Sequence, residues 1–217
     1  MISPVGTAPE LAFAVVDASR LEYAAVPTLR FALRVESVSG EPIRSLLLDT
    51  QIQIAARRRR YDAAARERLF ELFGPPADWG TTLRTLLWTR LTTVVPPFTG
   101  ATVVDLAVPC SYDLEVVASR YFDALEDGEV PLEFLFSGSV FYAGEDGRLQ
   151  TARLSWEQEA AYRLPVAVWK ETLERYFRGT AWVRVPKASF DRLAAYKARH
   201  ALPTWGDALD ALLEERP

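Results

Sequence analysis

Two neighbouring stretches constrain the fold more than any other part of the chain. In "TLRFALRVESV", Leu29, Phe31, Leu33 and Val35 alternate with Arg30, Arg34 and Glu36. In "IRSLLLDTQIQIAARR", Leu46, Leu48, Ile52, Ile54 and Ala56 alternate with Asp49, Gln51 and Gln53. Successive side chains of a strand point to opposite faces. A period of two with one apolar and one polar set therefore marks a strand with one face in a core. The turn residues "SGEP" at 39–42 separate the two stretches. Their order predicts an antiparallel pair.

More strand-like segments follow. "TLRTLLWTRLTTVV" (82–95) and "TVVDLAV" (102–108) are rich in Thr, Val and Leu, residues that fit a pleated surface. "VPLEFLFSGSVFY" and "LQTARLSW" flank Asp146 and Gly147, a favoured two-residue hairpin turn. Gly138 inside this pattern predicts a bulge or a close backbone approach. The segment "YDLEVVASRYFDAL" (112–125) fits both periods. The strand reading is favoured, because the segment runs into Asp127 and Gly128, a second hairpin signal.

Elsewhere the period changes to that of a helix. Over residues 62–73, Ala65, Leu69, Leu72 and Phe73 share one helical face. Asp62 stands where an N-cap is wanted, and Gly74, Pro75 and Pro76 end the run. In the last third, Pro165 opens "VAVWKETLERYF", with Val166, Trp169, Leu173, Tyr176 and Phe177 on one side. "AWVRV" reads as a short strand, and Pro186 opens a helix through about His200. Thr204 and Asp207 form a capping-box-like start for a final helix bearing Ala208, Leu209, Leu212 and Leu213.

The predicted class is α+β: an antiparallel β-sandwich or curled open sheet with an inserted helix and a C-terminal helical segment. The expected organisation is a loose terminus (1–9), a β domain (10–164, helix at about 62–73) and a helical segment (165–217) packed on it.

Composition narrows the chemistry. The formal net charge is −4, against the sign of most nucleic-acid binders. One cysteine, Cys110, and one histidine, His200, cannot build a Cys/His zinc site or an iron–sulfur cluster within one chain. No phosphate-loop or dinucleotide spacing occurs. No cofactor or metal is expected. The opening "MISPVGTAPELAF" lacks a basic n-region and a long apolar core, and no run of about 18 apolar residues exists. Neither a signal peptide nor a membrane span is expected, and a cytoplasmic location is the default expectation.

Candidate reactive groups have plain structural readings. Cys110 is expected to be a small packed residue, and His200 to sit at a helix end, where imidazolium suits the dipole. The acidic positions Glu126, Asp127, Glu129, Glu145 and Asp146 read as solvated hairpin tips. Glu157 and Glu159 would lie about 7 Å apart on one strand face. The strand and two helices near the C-terminus resemble a ribbon-helix-helix unit only superficially, since the strand offers Arg184 alone.

The run Arg57, Arg58, Arg59 and Arg60 is the most conspicuous motif. Extended by period two, the preceding strand sends Arg57 and Arg59 to one side and Arg58 and Arg60 to the other. Asp62, Glu67 and Glu71 then supply nearby countercharges, and the run reads as a solvated strand end. Arg58 and Arg60 are the expected partner contacts.

The blocks "DGEVPLEFLFSGSVFY" and "SWEQEAAYRLPVAVWKETLERYFRGTAWVRV" resemble an uncharacterised, mostly actinobacterial family. Its genes often neighbour those of uptake nickel–iron hydrogenases and their maturation factors. The resemblance spans most of residues 10–213 and is strongest from 128 to 196. It implies a context rather than an activity, and it carries over no catalytic residue. The expected function is therefore that of a non-enzymatic accessory or scaffold protein with a protein partner and no cofactor, in hydrogenase assembly or maturation. The alternative expectation is a small-ligand binder or enzyme using a carboxylate- and arginine-lined cleft in the β domain.

Overall fold

The computed structural model describes residues 8–110, 116–144, 146–155, 157–180 and 185–214. The chain forms two compact units, Met1–Ala181 and Trp182–Pro217. The fold is α+β, with two open antiparallel sheets, an inserted helical region and C-terminal helices.

Among the described residues, eight strands build the first unit: β1 (Leu11–Arg20), β2 (Thr28–Ser37), β3 (Ile43–Ile54), β4 (Leu86–Val95), β5 (Ala101–Pro109), β6 (Glu129–Ala143), β7 (Leu149–Arg153) and β8 (Glu159–Pro165). One sheet has the order β1-β2-β5. In the other, β3 lies between β4 and β6, while β7 and β8 pair with different stretches of β6. The alternating sets place the core. Leu29, Phe31, Leu33 and Val35 of β2 and Leu46, Leu48, Ile52 and Ile54 of β3 are all fully buried and share one cluster. Burying such side chains stabilises by about 1.5–3 kcal/mol each. Aromatic rings bridge the sheets: Phe31 meets Phe134 edge-on at 5.2 Å, and Phe13 stacks on Phe136 at 4.6 Å.

The expected antiparallel pairing of the two alternating stretches is not formed. β2 pairs β1 and β5, whereas β3 pairs β4 and β6. The turn between them carries the chain from one sheet to the other, with Gly40 at φ +76° and its N–H bonded to the Ser37 carbonyl at 2.9 Å. Each strand has one apolar face, and stacking the sheets turns both faces onto a common core. Alternation identifies the buried face of a strand but not its neighbour.

The segment expected as a strand at 112–125 is helical where described. Helix Val117–Asp123 buries Ala118, Ser119, Tyr121 and Phe122, the last two projecting into the core. Residues 111–115 lie outside the described residues. Helical spacing succeeds because it delivers both rings to one end of the sandwich, where Phe122 stacks on Trp169 at 4.3 Å. Asp127 and Gly128 consequently join a helix to β6 instead of closing a hairpin, with Gly128 at φ +73°. The turn at Asp146 and Gly147 does close one: the Gly144 N–H donates to the Arg148 carbonyl at 2.8 Å, linking β6 to β7.

Helices are labelled α1 (Ala63–Arg68), α2 (Phe70–Phe73), α3 (Trp79–Thr82), α4 (Val117–Asp123), α5 (Val166–Phe177), α6 (Lys187–Arg199) and α7 (Trp205–Glu214). The run expected at 62–73 is divided at buried Leu69 into α1 and α2. Asp62 caps it, accepting the Ala65 N–H at 2.7 Å. α5 follows Pro165 and buries Val166, Trp169 and Leu173. Gly138 fulfils the close-approach expectation: a β-carbon there would lie 2.0 Å from the Leu47 carbonyl oxygen. Glu157 and Glu159 do not share a strand face, because β8 begins at Glu159 and Glu157 sits in the turn before it.

In the second unit, the expected strand "AWVRV" falls largely on 181–184, outside the described residues. Thr204 and Asp207 form the reciprocal capping box: the Thr204 N–H donates to Asp207 Oδ2 at 2.9 Å, and the Asp207 N–H to Thr204 Oγ1 at 3.1 Å. Phe190 of α6 packs on Trp205 of α7 at 5.1 Å.

Candidate functional site

The arginine run departs from its expected form. β3 ends at Ile54, and Ala56–Arg58 makes a single 3₁₀ turn, so the period-two division of the four charges does not apply. Arg57 Nε donates to the Leu83 carbonyl at 2.5 Å. Arg59 reaches across to β6: Nη1 donates to the Glu129 carbonyl and Nη2 to the Asp127 carbonyl, both at 2.7 Å. Its guanidinium also lies 5.9 Å from the Tyr61 ring. Arg58 pairs with Glu133 at 2.9 Å. The run is thus a clamp joining the end of β3 to the start of β6 and the approach to β4, rather than a solvated strand end. The Leu83 and Asp127 carbonyls lie outside the strands and the Glu129 carbonyl is at the first residue of β6, so guanidinium donors hold backbone acceptors where the sheet begins and ends.

The expected countercharges are used elsewhere. Asp62 caps α1, and Glu71 pairs with Arg120 at 3.4 Å. Arg58 and Arg60 are both exposed; Arg58 is bound to Glu133, whereas Arg60 has no ion pair among the described residues.

Behind the clamp lies a buried polar pair. The Tyr61 hydroxyl donates to the Ala56 carbonyl at 2.7 Å and sits 2.7 Å from the Tyr121 hydroxyl. With the Tyr61 proton committed to the carbonyl, Tyr121 is the donor between them. Burial, and then neighbouring Tyr121, pushes the Tyr61 hydroxyl well above the ordinary tyrosine range. Burial also raises Tyr121. Both remain neutral at physiological pH and serve as structural hydrogen-bonding groups.

The remaining reactive types give no assembled chemistry. Cys110 is buried, and burial pushes its thiol up to about 12, so it holds little thiolate near neutrality. His200 follows α6 and lies against Tyr196 with ring centres 4.4 Å apart. Glu126 pairs with Arg68 at 2.8 Å and Asp146 with Arg148 at 3.6 Å; Glu145 lies outside the described residues. Among the described residues, no group of three or more His, Cys, Asp or Glu side chains is placed to hold a metal ion. No helix there is long and apolar enough to cross a membrane.

An accessible surface lies on the outer face of the five-stranded sheet. Register aligns Val94, Leu47 and Ser139 in one row, Thr92, Asp49 and Ser137 in the next, and Arg90, Gln51 and Leu135 in a third. The second and third rows line a shallow trough of about 650 Å³, and the first row lies beside it in register. Asp49 accepts a hydrogen bond from Thr92 Oγ1. Leu47 is 41% exposed and Val94 65% exposed. Asp49 and Gln51 are recognisable from the sequence as a solvent-facing set, but Arg90, Thr92, Leu135 and Ser137 join them only through strand order.

An open β-sandwich with helices at its end, together with a separate helical hairpin, defines the class of this α+β protein. The chain belongs to the family described as "Family of unknown function (DUF6084)", whose model matches residues 8–217. Comparison with curated proteins returns no match. Among solved structures, the chain is similar to the CARDB domain of a Pyrococcus furiosus protein in complex with di-metal ions. That similarity has 10% identity, covers 72% of this chain and 91% of that one, and has a TM-score of 0.28. It is also similar to β-glucosidase 3B from Thermotoga neapolitana in complex with α-D-glucose, at 14% identity over 71% of this chain and 17% of that one, with a TM-score of 0.25. Neither likeness is close enough to transfer a fold or an activity.

Proposed function

We propose that this chain is a non-enzymatic accessory or scaffold protein that works through protein–protein contacts, in the assembly or maturation of a nickel–iron hydrogenase. The observation carrying this reading is the uncovered outer face of the β4-β3-β6 sheet. It sets exposed Leu47 and Val94 beside Asp49, Arg90 and Thr92, a mixture of apolar and polar groups suited to a protein surface. The hydrogenase context rests on the family resemblance in the sequence. Arg60, and Arg58 where it can exchange Glu133 for an acidic partner, extend the proposed contact along the neighbouring junction.

Gentle affinity purification from cells expressing the hydrogenase subunits tests the reading. The tagged chain is expected to retain a hydrogenase subunit or maturation factor. Leu47→Arg/Val94→Arg should lose it while keeping the fold, and Arg58→Glu/Arg60→Glu should weaken retention. Failure to retain such a protein, or equal retention by Leu47→Arg/Val94→Arg, would overturn the assignment. A second reading is favoured by Asp49 and Arg90 lining the same trough: a small polar ligand held by a carboxylate and a guanidinium. Ligand-induced shifts in the Asp49, Arg90 and Ser137 amide signals would support it.

A further inference from the structure

The second unit carries two apolar features with oppositely charged borders. The first is a groove of about 400 Å³, lined by Val185, Ser189, Arg192, Leu193, Tyr196 and Leu212. Exposed Arg192 borders it, and exposed Arg199 follows two turns later on the same side of α6. The second is a ridge on α7, where Leu209 is 49% exposed and Leu213 73% exposed. These leucines are four residues apart and so lie one above the other. Exposed Asp210 and Glu214 border them.

A pair of short helices has too little interior to enclose both features. Ala208 is the one buried residue among 185–214. The charge separation is pronounced: α6 holds Lys187, Arg192, Lys197 and Arg199 against Asp191, whereas α7 holds Asp207, Asp210 and Glu214 with no basic residue.

We propose that the groove is occupied by the ridge of a second copy of this chain. Leu209 and Leu213 of one copy fill the groove beside Leu193 and Tyr196 of the other. Asp210 and Glu214 then face Arg192 and Arg199. An acidic partner suits the groove but is repelled by the ridge, and a basic partner meets the reverse problem. A second copy satisfies both surfaces at once. The contact joins two different patches, so it is heterologous: it either closes into a ring or extends with concentration. It does not depend on the sheet-face reading, because the sheet residues take no part.

The test is the mass of the full-length chain in solution by sedimentation, from about 1 µM to about 100 µM, where weak interfaces dissociate. The wild type should rise above the 24.3 kDa of one chain. Asp210→Lys/Glu214→Lys and Arg192→Glu/Arg199→Glu should each remain single chains with unchanged circular dichroism. An equimolar mixture of the two variants should associate again, because both contacts regain opposite charge. The proposal is overturned by a wild type that stays at one chain mass, by swapped variants that associate like the wild type, or by a mixture that fails to recover. A monomeric wild type whose swaps abolish capture of a different protein would assign the groove to that protein and also overturn it.

Discussion

At the residue scale, Thr50 shows where the core departs from its best composition. It occupies an inward position of β3 and is 1% exposed, and its hydroxyl has no hydrogen-bond partner among the described residues. An unpaired buried hydroxyl costs roughly 1–3 kcal/mol. Thr50→Val retains the β-branched shape favoured in strands and removes the unsatisfied group. It should raise the stability of the full-length chain by about 1 kcal/mol, read as a higher urea midpoint; a lower midpoint would show that the hydroxyl contributes favourably. Arg59 illustrates a different limit of sequence reading. Its charge is obvious in "ARRRRY", but its partners are the Asp127 and Glu129 carbonyls. A carbonyl leaves no signature in the residue types, so acidic side chains nearby in sequence were the only visible counterparts. Cys110 was more legible, because a lone cysteine in an apolar stretch generally packs inward.

At the element scale, local signals with a dedicated physical cause survived best. The Asp62 cap, the Asp146–Gly147 hairpin and the Thr204–Asp207 box each use a backbone donor that must find a partner nearby. At the box, the Thr204 hydroxyl and then the Thr204 N–H hold Asp207 below the ordinary aspartate range. A depressed folded value means that the carboxylate supports α7 above the unfolded range, with support lost as pH falls through the folded value. In an NMR titration, the Asp207 carboxyl should therefore titrate below the usual 3.8. In Thr204→Ala the midpoint should rise towards the ordinary aspartate value. An unchanged midpoint in that variant would remove Thr204 as the cause. Residues 117–123 were less legible because their apolar residues satisfy both periods. Tertiary contact decides the matter: only the helix stacks Phe122 on Trp169 and brings Tyr121 to Tyr61.

At the scale of the whole molecule, the α+β class and the core faces of β2 and β3 follow from alternation, whereas the partition of strands between sheets does not. Any two strands with one apolar face can be neighbours or can meet across a core, and alternation is the same in both cases. The candidate site inherits this limit. Asp49 and Gln51 lie on a legible polar face of one strand, but the trough needs β4 and β6 on either side. Its rows join residues as distant in the chain as Asp49, Thr92 and Ser137. The open β4-β3-β6 face is the proposed working surface. Side-chain oxidative footprinting of the full-length chain, free and bound to a co-purified hydrogenase protein, tests it most directly. Leu47, Val94 and Leu135 should lose reactivity in the complex, while Val16 and Val103 on the other sheet keep theirs. Unchanged labelling of Leu47, Val94 and Leu135, with protection confined to other surfaces, would contradict it.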